Sequence, residues 1–498
     1  MSKKFLVLAL LLNCWIYQQG IAQSVVEQWG RFEVSFKHQP AKNPFVDDNL
    51  SAVFSNGNSK VKVHGFYDGN NTYIVRFMPT KTGTWTYLIS SNIPELNGKK
   101  GKLVCKPATG NNHGPVVVRN QYHFAYADST PYYPFGTTVY SYIHQDNDHV
   151  AVALNTLAKS PFNKLRFLVF PQWQDYSKVQ TPFFPFEKSK DPLPKKDTIL
   201  WDYSRFDPAF FRNLEKHIDE LAEKGVEADV ILFHPYDEGK WGFDKMSHKT
   251  DLFYLKYIVA RLSSFRNVWW SLCNEFDHFK YKSDADWDDL IATVAKEDPY
   301  HHLCSIHNDK RMFNNTNPAL THACVQGGTY VDDFGRAVIQ RDAYKKPVVY
   351  DEICYEGDIV YRWGNLSAER MVYRYWQGTI AGCYVGHGET FVGKDSVLHL
   401  VWGRELRGRS PERIRFLKSI IEETGTLEQI DHFWGMNNMT KSEHGDILIY
   451  LGTEAKTEWP FLLSRDLKLP EGTKYTAEVI DTWNMTRTPV PGIFCTTK

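Results

Sequence analysis

The sequence predicts an α/β chain: a (β/α)₈ TIM barrel flanked by an N-terminal β-sandwich and a small C-terminal β-sandwich. Three observations carry this. Between residues 118 and 424 a strand–loop–helix grammar repeats, with eight candidate strands near 133–138, 164–170, 228–234, 267–274, 303–307, 322–327, 347–352 and 382–386. These strands read as continuous apolar runs, the mark of a parallel sheet buried on both faces. The segments on either side alternate apolar and polar residues instead, as half-buried antiparallel strands do. A doubly wound sheet of similar size is the competing arrangement for the central part.

Taken in order, residues 1–22 read as a secretory leader. Lys3 and Lys4 precede the apolar run Phe5–Leu12, and Gly20-Ile21-Ala22 offers small residues for cleavage. Lipidation through Leu11-Leu12-Asn13-Cys14 is a second reading, against which Asn13 stands where a small residue is wanted. Either places the chain outside the cytoplasm, in the periplasm or on the outer membrane. No later segment is apolar enough to span a bilayer.

Residues 23–110 form the first β domain. Phe32–Phe36, Val61–Phe66, Thr72–Phe77 and Gly83–Ile89 alternate, and turns such as Asp68-Gly69-Asn70-Asn71 separate them. Ala108–Pro115 is a linker. In the barrel, 118–424, one helix is explicit. Asp207 caps it, Pro208 opens it, Phe211, Leu214, Ile218 and Leu221 make one apolar face, and Gly225 stops it. Residues 425–498 return to strands, the clearest being Asp446–Leu451 and Thr473–Asp481, followed by one more short candidate strand.

Loss of the leader takes two lysines and no acid, leaving 56 basic against 58 acidic residues. Such a balance gives no electrostatic case for nucleic acid. A local basic cleft escapes that argument, so a charged sugar stays open. The cysteines lack zinc-ligand spacing. Cys273, Cys304, Cys324, Cys354 and Cys383 fall in or beside strand-like runs, and are expected as buried small hydrophobes. No cofactor and no metal site is expected, and the sequence is silent on oligomeric state.

The chemistry lies at the strand ends. Trp269–Glu275 and Pro347–Glu352 each run apolar and stop at a glutamate, with 76 residues between the two. Catalytic groups of a TIM barrel sit at the C-terminal ends of its strands. Two carboxylates facing each other there, about 5–5.5 Å apart, are the machinery of retaining glycosidic cleavage. One must stay protonated to serve as the acid, a role that suits Glu275. The other must be ionised, which suits Glu352, with Asp351 and Glu356 as rival neighbours. Arg166 is a candidate charge partner for Glu352, and Asn274 for a sugar hydroxyl. His234, Tyr236 and Asp237 close the third strand, His307 the fifth; Tyr330 follows the sixth, and His387 and Glu389 follow the eighth. All are candidate substrate contacts. Trp402 is a candidate stacking platform, with Trp173 and Trp241 behind it; aromatic residues make up 15% of the chain.

Phe206–Arg212 together with Ile231–Asp237 resembles a group of secreted Bacteroidetes proteins. These carry a DUF5060-type domain, a glycosidase-like barrel similar to the apiosidase-like (DUF4038) barrels, and a DUF5605-type C-terminal domain. Tyr132–Thr138 and the Gly110–Pro115 linker fit the same pattern. The resemblance implies membership of the large retaining clan that includes the cellulases and β-galactosidases. In that clan an Asn-Glu pair after strand four supplies the acid/base and a Glu after strand seven the nucleophile; here these positions are Asn274-Glu275 and Glu352. It implies a polysaccharide- or oligosaccharide-degrading hydrolase without fixing the sugar. Two other readings stay open: a non-catalytic glycan-binding protein on a degenerate barrel, and a polysaccharide lyase.

Overall fold

The computed structural model describes residues 24–178, 181–191, 200–328, 330–332, 334–394, 396–430, 438–453 and 469–496. The expected leader, with Cys14, lies outside them. Eight parallel strands form the central sheet: β1 (Phe135–Thr138), β2 (Lys164–Leu168), β3 (Glu227–Phe233), β4 (Val268–Cys273), β5 (Cys304–Ser305), β6 (Ala323–Gln326), β7 (Val348–Glu352) and β8 (Tyr384–His387). Their order is β5-β4-β3-β2-β1-β8-β7-β6, and a parallel bridge between His307 and Cys324 joins the two ends. The sheet therefore closes, which excludes the doubly wound alternative. Every expected strand is present.

Among the described residues a helix follows every strand but β5: α1 (Asn147–Lys159), α2 (Pro208–Glu223), α3 (His248–Leu262), α4 (Asp284–Glu297), α5 (Phe334–Tyr344), α6 (Ala368–Ile380) and α7 (Ser410–Thr424). In α2 the Asp207 carboxylate accepts from the Ala209 N–H, Pro208 sits at the first position, and Phe211, Leu214, Ile218 and Leu221 are buried. Gly225 takes φ +68°, which lets the chain reverse without a Cβ clash. The long β2–α2 connection contains a hairpin, Phe186–Lys188 with Trp201–Phe206, that the sequence reading missed.

The barrel interior is charged rather than oily. Lys164 donates to Asp229 at 2.6 Å and to Asp351 at 2.7 Å, all three fully buried. Such a cluster costs desolvation but leaves no charge uncompensated. Below it, the N-terminal end of the barrel is sealed. A three-stranded sheet of Val116–Arg119, His123–Tyr126 and Pro131–Tyr132 packs Val116, Phe124 and Tyr132 on Trp269, Leu303 and Val349.

The N-terminal domain is a sandwich of a five-stranded and a three-stranded sheet around Phe54, Phe77 and Trp85. It docks on α2 and α3 through buried charges. Arg76 and Arg261 share Glu215 at 2.7 and 2.5 Å, and Arg261 also meets Asp68 at 2.8 Å. The C-terminal part has a three-stranded sheet (Leu427–Gln429, Asn438–Ser442, Ile447–Tyr450) and a hairpin (Lys474–Asp481, Thr486–Cys495). The last strand is ten residues long, not short as expected. Pro489 and Pro491 broke its sequence signal. All seven cysteines from Cys105 to Cys495 are free thiols, most of them buried. Among the described residues no helix is long and apolar enough to cross a membrane.

Candidate active site

β4 ends at Cys273, and Asn274 stays in register, its N–H donating to the Phe233 carbonyl at 2.9 Å. Glu275 then adopts a left-handed backbone, φ 46° and ψ 53°. A non-glycine residue in this region stores strain and is held there by its surroundings. The twist leads into the short turn Phe276–His278, which is anchored because the Phe276 N–H reaches the His307 carbonyl. Asp277 accepts from the N–H groups of Asp309, Lys310 and Arg311, tying the loop after β5 to the loop after β4.

Three donors converge on one oxygen of Glu352, at the end of β7. The Tyr140 hydroxyl lies 2.7 Å from Oε1, Arg166 Nη1 at 3.1 Å and Asn274 Nδ2 at 3.1 Å. Arg166 Nη2 also donates to Asn274 Oδ1 at 2.5 Å, so the amide orientation is set by the guanidinium. The same amide donates to the Tyr236 hydroxyl at 2.5 Å. His307 sits 3.6 Å from Glu352, its ring held between Cys324 Sγ and Gln326 Oε1.

These surroundings separate the two carboxyls. Burial, then the charge of Glu352, push Glu275 up to about 7. Burial acts to raise Glu352 too, but His307, Arg166 and the Tyr140 hydroxyl outweigh it and hold Glu352 below the usual carboxylate value. The two groups are therefore close enough to feel each other's charge, with opposite protonation states favoured near neutral pH.

The structure brings Arg166, Asn274, Tyr236, His307, Glu275 and Glu352 together. Other candidates are elsewhere. His234 is buried with both ring nitrogens engaged: Nε2 lies 2.9 Å from the Phe170 carbonyl and Nδ1 accepts from the Tyr236 N–H. It orients Tyr236, whose ring it stacks on, rather than facing a substrate. Asp237 accepts from the N–H groups of Gly239, Gly242 and Phe243, which makes it the organiser of its own loop. His387 points outward from the sheet and stacks on Phe162 at 4.5 Å, because its register partner is Thr137 while the inward position falls to Gly386. Glu389 is fully buried and accepts from the Arg407 and Gly408 N–H groups. Neither has exposed surface to offer a substrate. Of the rivals to Glu352, Asp351 is locked in the Lys164 pair and Glu356 accepts from the Arg409 and Ser410 N–H groups. Trp402 lies on the rim between His149 and Arg404. Trp241 is buried, and Trp173 packs edge-on against it beneath Lys240. The side chain of Tyr330 lies outside the described residues.

Two tyrosines were missed. Tyr140 follows β1 by two residues, so the strand-end rule alone would have found it. Tyr355 is buried beside Glu352 and Tyr140. Its ring meets Trp363, which belongs to an exposed loop with Tyr361; the Tyr361 and Trp363 rings are parallel within 6°. Tyr176, from the loop after β2, joins Tyr361 at 6.3 Å.

Comparison with known proteins agrees with this anatomy. Residues 118–428 match the apiosidase-like catalytic domain, residues 25–92 the domain of unknown function DUF5060, and residues 434–498 DUF5605. A solved structure from Bacteroides vulgatus, described as a candidate glycoside hydrolase, is 42% identical over 96% of this chain and 94% of its own, with a TM-score of 0.91. A glycoside hydrolase family 5 structure from the same organism shares the fold at 15% identity, covering 78% of this chain and 90% of its own, TM-score 0.57. No curated protein sequence matches the chain.

Proposed function

We propose, from the premise that the chain belongs to the apiosidase-like family, that it is a secreted retaining glycoside hydrolase acting on a plant, algal or host glycan. One observation carries the reading: a buried carboxyl pushed up to about 7 stands next to one held low by an imidazole, a guanidinium and a hydroxyl. Glu275, protonated, donates to the leaving oxygen. Glu352, ionised, attacks the anomeric carbon and forms the glycosyl-enzyme. Glu275, now a carboxylate, takes a proton from the water that resolves it. Asn274 and Tyr236 hold sugar hydroxyls and fix the orientation of the pair. His307 buttresses Glu352 from the β5 side. The exposed Tyr361 and Trp363 rings extend the cleft beyond the reacting sugar, which favours an oligosaccharide over a single residue.

The test is hydrolysis of aryl glycosides and of plant, algal and host oligosaccharides, followed by NMR of the first product formed. Retention of anomeric configuration is expected. An inverted first product would remove the nucleophile role from Glu352, and products absorbing in the ultraviolet would identify a lyase instead.

A further inference from the structure

Behind β7 and β8, on the outer side of the sheet, lies a second polar chamber that the reaction does not use. Glu356 and Glu389 are register partners in a short parallel pair, Glu356–Gly357 with Glu389–Thr390, so their side chains lie side by side. His387 precedes Glu389 by two residues and shares its face. All three are buried, and one ligand atom from each lies within 4.8 Å of the others.

The chamber is built to hold these atoms still. Four consecutive backbone N–H groups serve the four carboxylate oxygens: Arg407 and Gly408 donate to Glu389 at 2.9 Å each, Arg409 and Ser410 to Glu356 at 2.8 and 3.1 Å. Each oxygen keeps a second lone pair. Gly408 is required, since a Cβ there would lie 2.4 Å from Glu356 Oε2 and 2.7 Å from Glu389 Oε1. The independent observation is the imidazole. His387 is fully buried, its Nδ1 lies 3.2 Å from the Thr137 hydroxyl, and its Nε2 has no hydrogen-bond partner while facing Glu389 Oε1 at 4.0 Å. With Nδ1–H donating to Thr137, the Nε2 lone pair points at carboxylate oxygens, an unfavourable array that a cation relieves. Orientation of a ligating imidazole through its other nitrogen is the usual second support of metal sites.

We propose that Glu356, His387 and Glu389 bind one divalent first-row cation, Zn²⁺ or Mn²⁺. Two carboxylates and a neutral imidazole match its charge and its preference for mixed nitrogen and oxygen donors. Ligand distances of about 2.0–2.2 Å put any two ligand atoms of one ion no more than about 4.4 Å apart, so the side chains draw together as the ion binds. The ion ties the loop after β8 and the start of α7 to the segment that follows β7 and Glu352; it touches no reacting group.

The full chain, purified without chelator, is assayed for metals by mass spectrometry. It is then stripped with EDTA and titrated with ZnCl₂, MnCl₂ and CaCl₂ by calorimetry, with thermal unfolding alongside. One Zn²⁺ or Mn²⁺ per chain is expected, with micromolar or tighter affinity and a higher unfolding temperature. His387→Ala is expected to weaken binding at least tenfold, and His387→Gln, which keeps the packing on Phe162, to do the same. Glu275→Gln is expected to bind metal as wild type does, which separates this site from the catalytic reading. Absence of Zn²⁺ and Mn²⁺ binding, calcium binding alone, or wild-type affinity in both His387 variants would overturn the proposal; the chamber would then hold a shared proton.

Discussion

Glu227 and Glu352 are both buried glutamates in barrel strands, one at each end. Glu227 opens β3 above the sealing sheet and has a single side-chain donor, the Trp269 indole at 3.1 Å. Burial pushes it up to about 8. Glu352 closes β7 with three donors on one oxygen and is held low. Desolvation acts on both in the same direction, so it is the positive charge of His307 and Arg166, helped by the hydroxyl donors, that keeps Glu352 ionised. The sealed end of the barrel supplies packing; the open end supplies hydrogen bonds.

The sharpest way to break that comparison is to remove the charge at the open end. Glu352→Gln is expected to lower kcat on the order of 10⁴-fold or more, and Glu275→Gln by roughly 10²–10⁴-fold, with circular dichroism unchanged. Next is Asn274→Ala. Loss of the amide that joins Arg166 to Glu352 is expected to cost roughly 10²-fold in kcat, as loss of one preorganised donor does. It should also move the acidic limb of the pH–rate profile upward, which a merely structural defect would not. In the wild type, activity needs Glu275 protonated and Glu352 ionised. Activity should therefore fall about tenfold per unit above about pH 7, and again in acid only once the pH drops below the usual glutamate range, because Glu352 is held low.

Glu227→Gln sharpens the other side. A folded value above the unfolded one means that this group's stabilisation is complete below about 4.5 and is lost as pH rises through about 8. Wild-type stability should drop by at most about 1.4 kcal/mol per pH unit across that window because of Glu227. The variant should lack this slope, with kcat unaffected; denaturant titrations at several pH values measure it. The smallest effect is expected from Trp363→Ala: a KM a few-fold higher on a long oligosaccharide and no change on an aryl monoglycoside.

The barrel was legible because strands buried on both faces must be apolar along their whole length. The two glutamates were legible because each interrupts such a run. What strand ends do not reveal is the face on which a side chain falls. His387 sits one residue from inward-facing Gly386, and that single step moves it from the cleft to the helix layer. Nor does a sequence show how a polar residue spends its hydrogen bonds, so Asp237 and His234 read as ligands while they serve their own loop. The charged interior around Lys164 was invisible for a related reason: its partners, Asp229 and Asp351, come from strands distant in sequence.

The Arg76–Glu215–Arg261 contact decides how this protein can be handled. Cutting away the first hundred residues would strip a cation from Glu215 and leave Arg261 facing solvent where Asp68 once stood. An isolated barrel would start life with its flank ionically exposed and its aromatic seams at Phe66 and Tyr257 opened. The β domain is thus a folding partner inherited with the catalytic body, and minimal versions for expression should begin ahead of it, not after it.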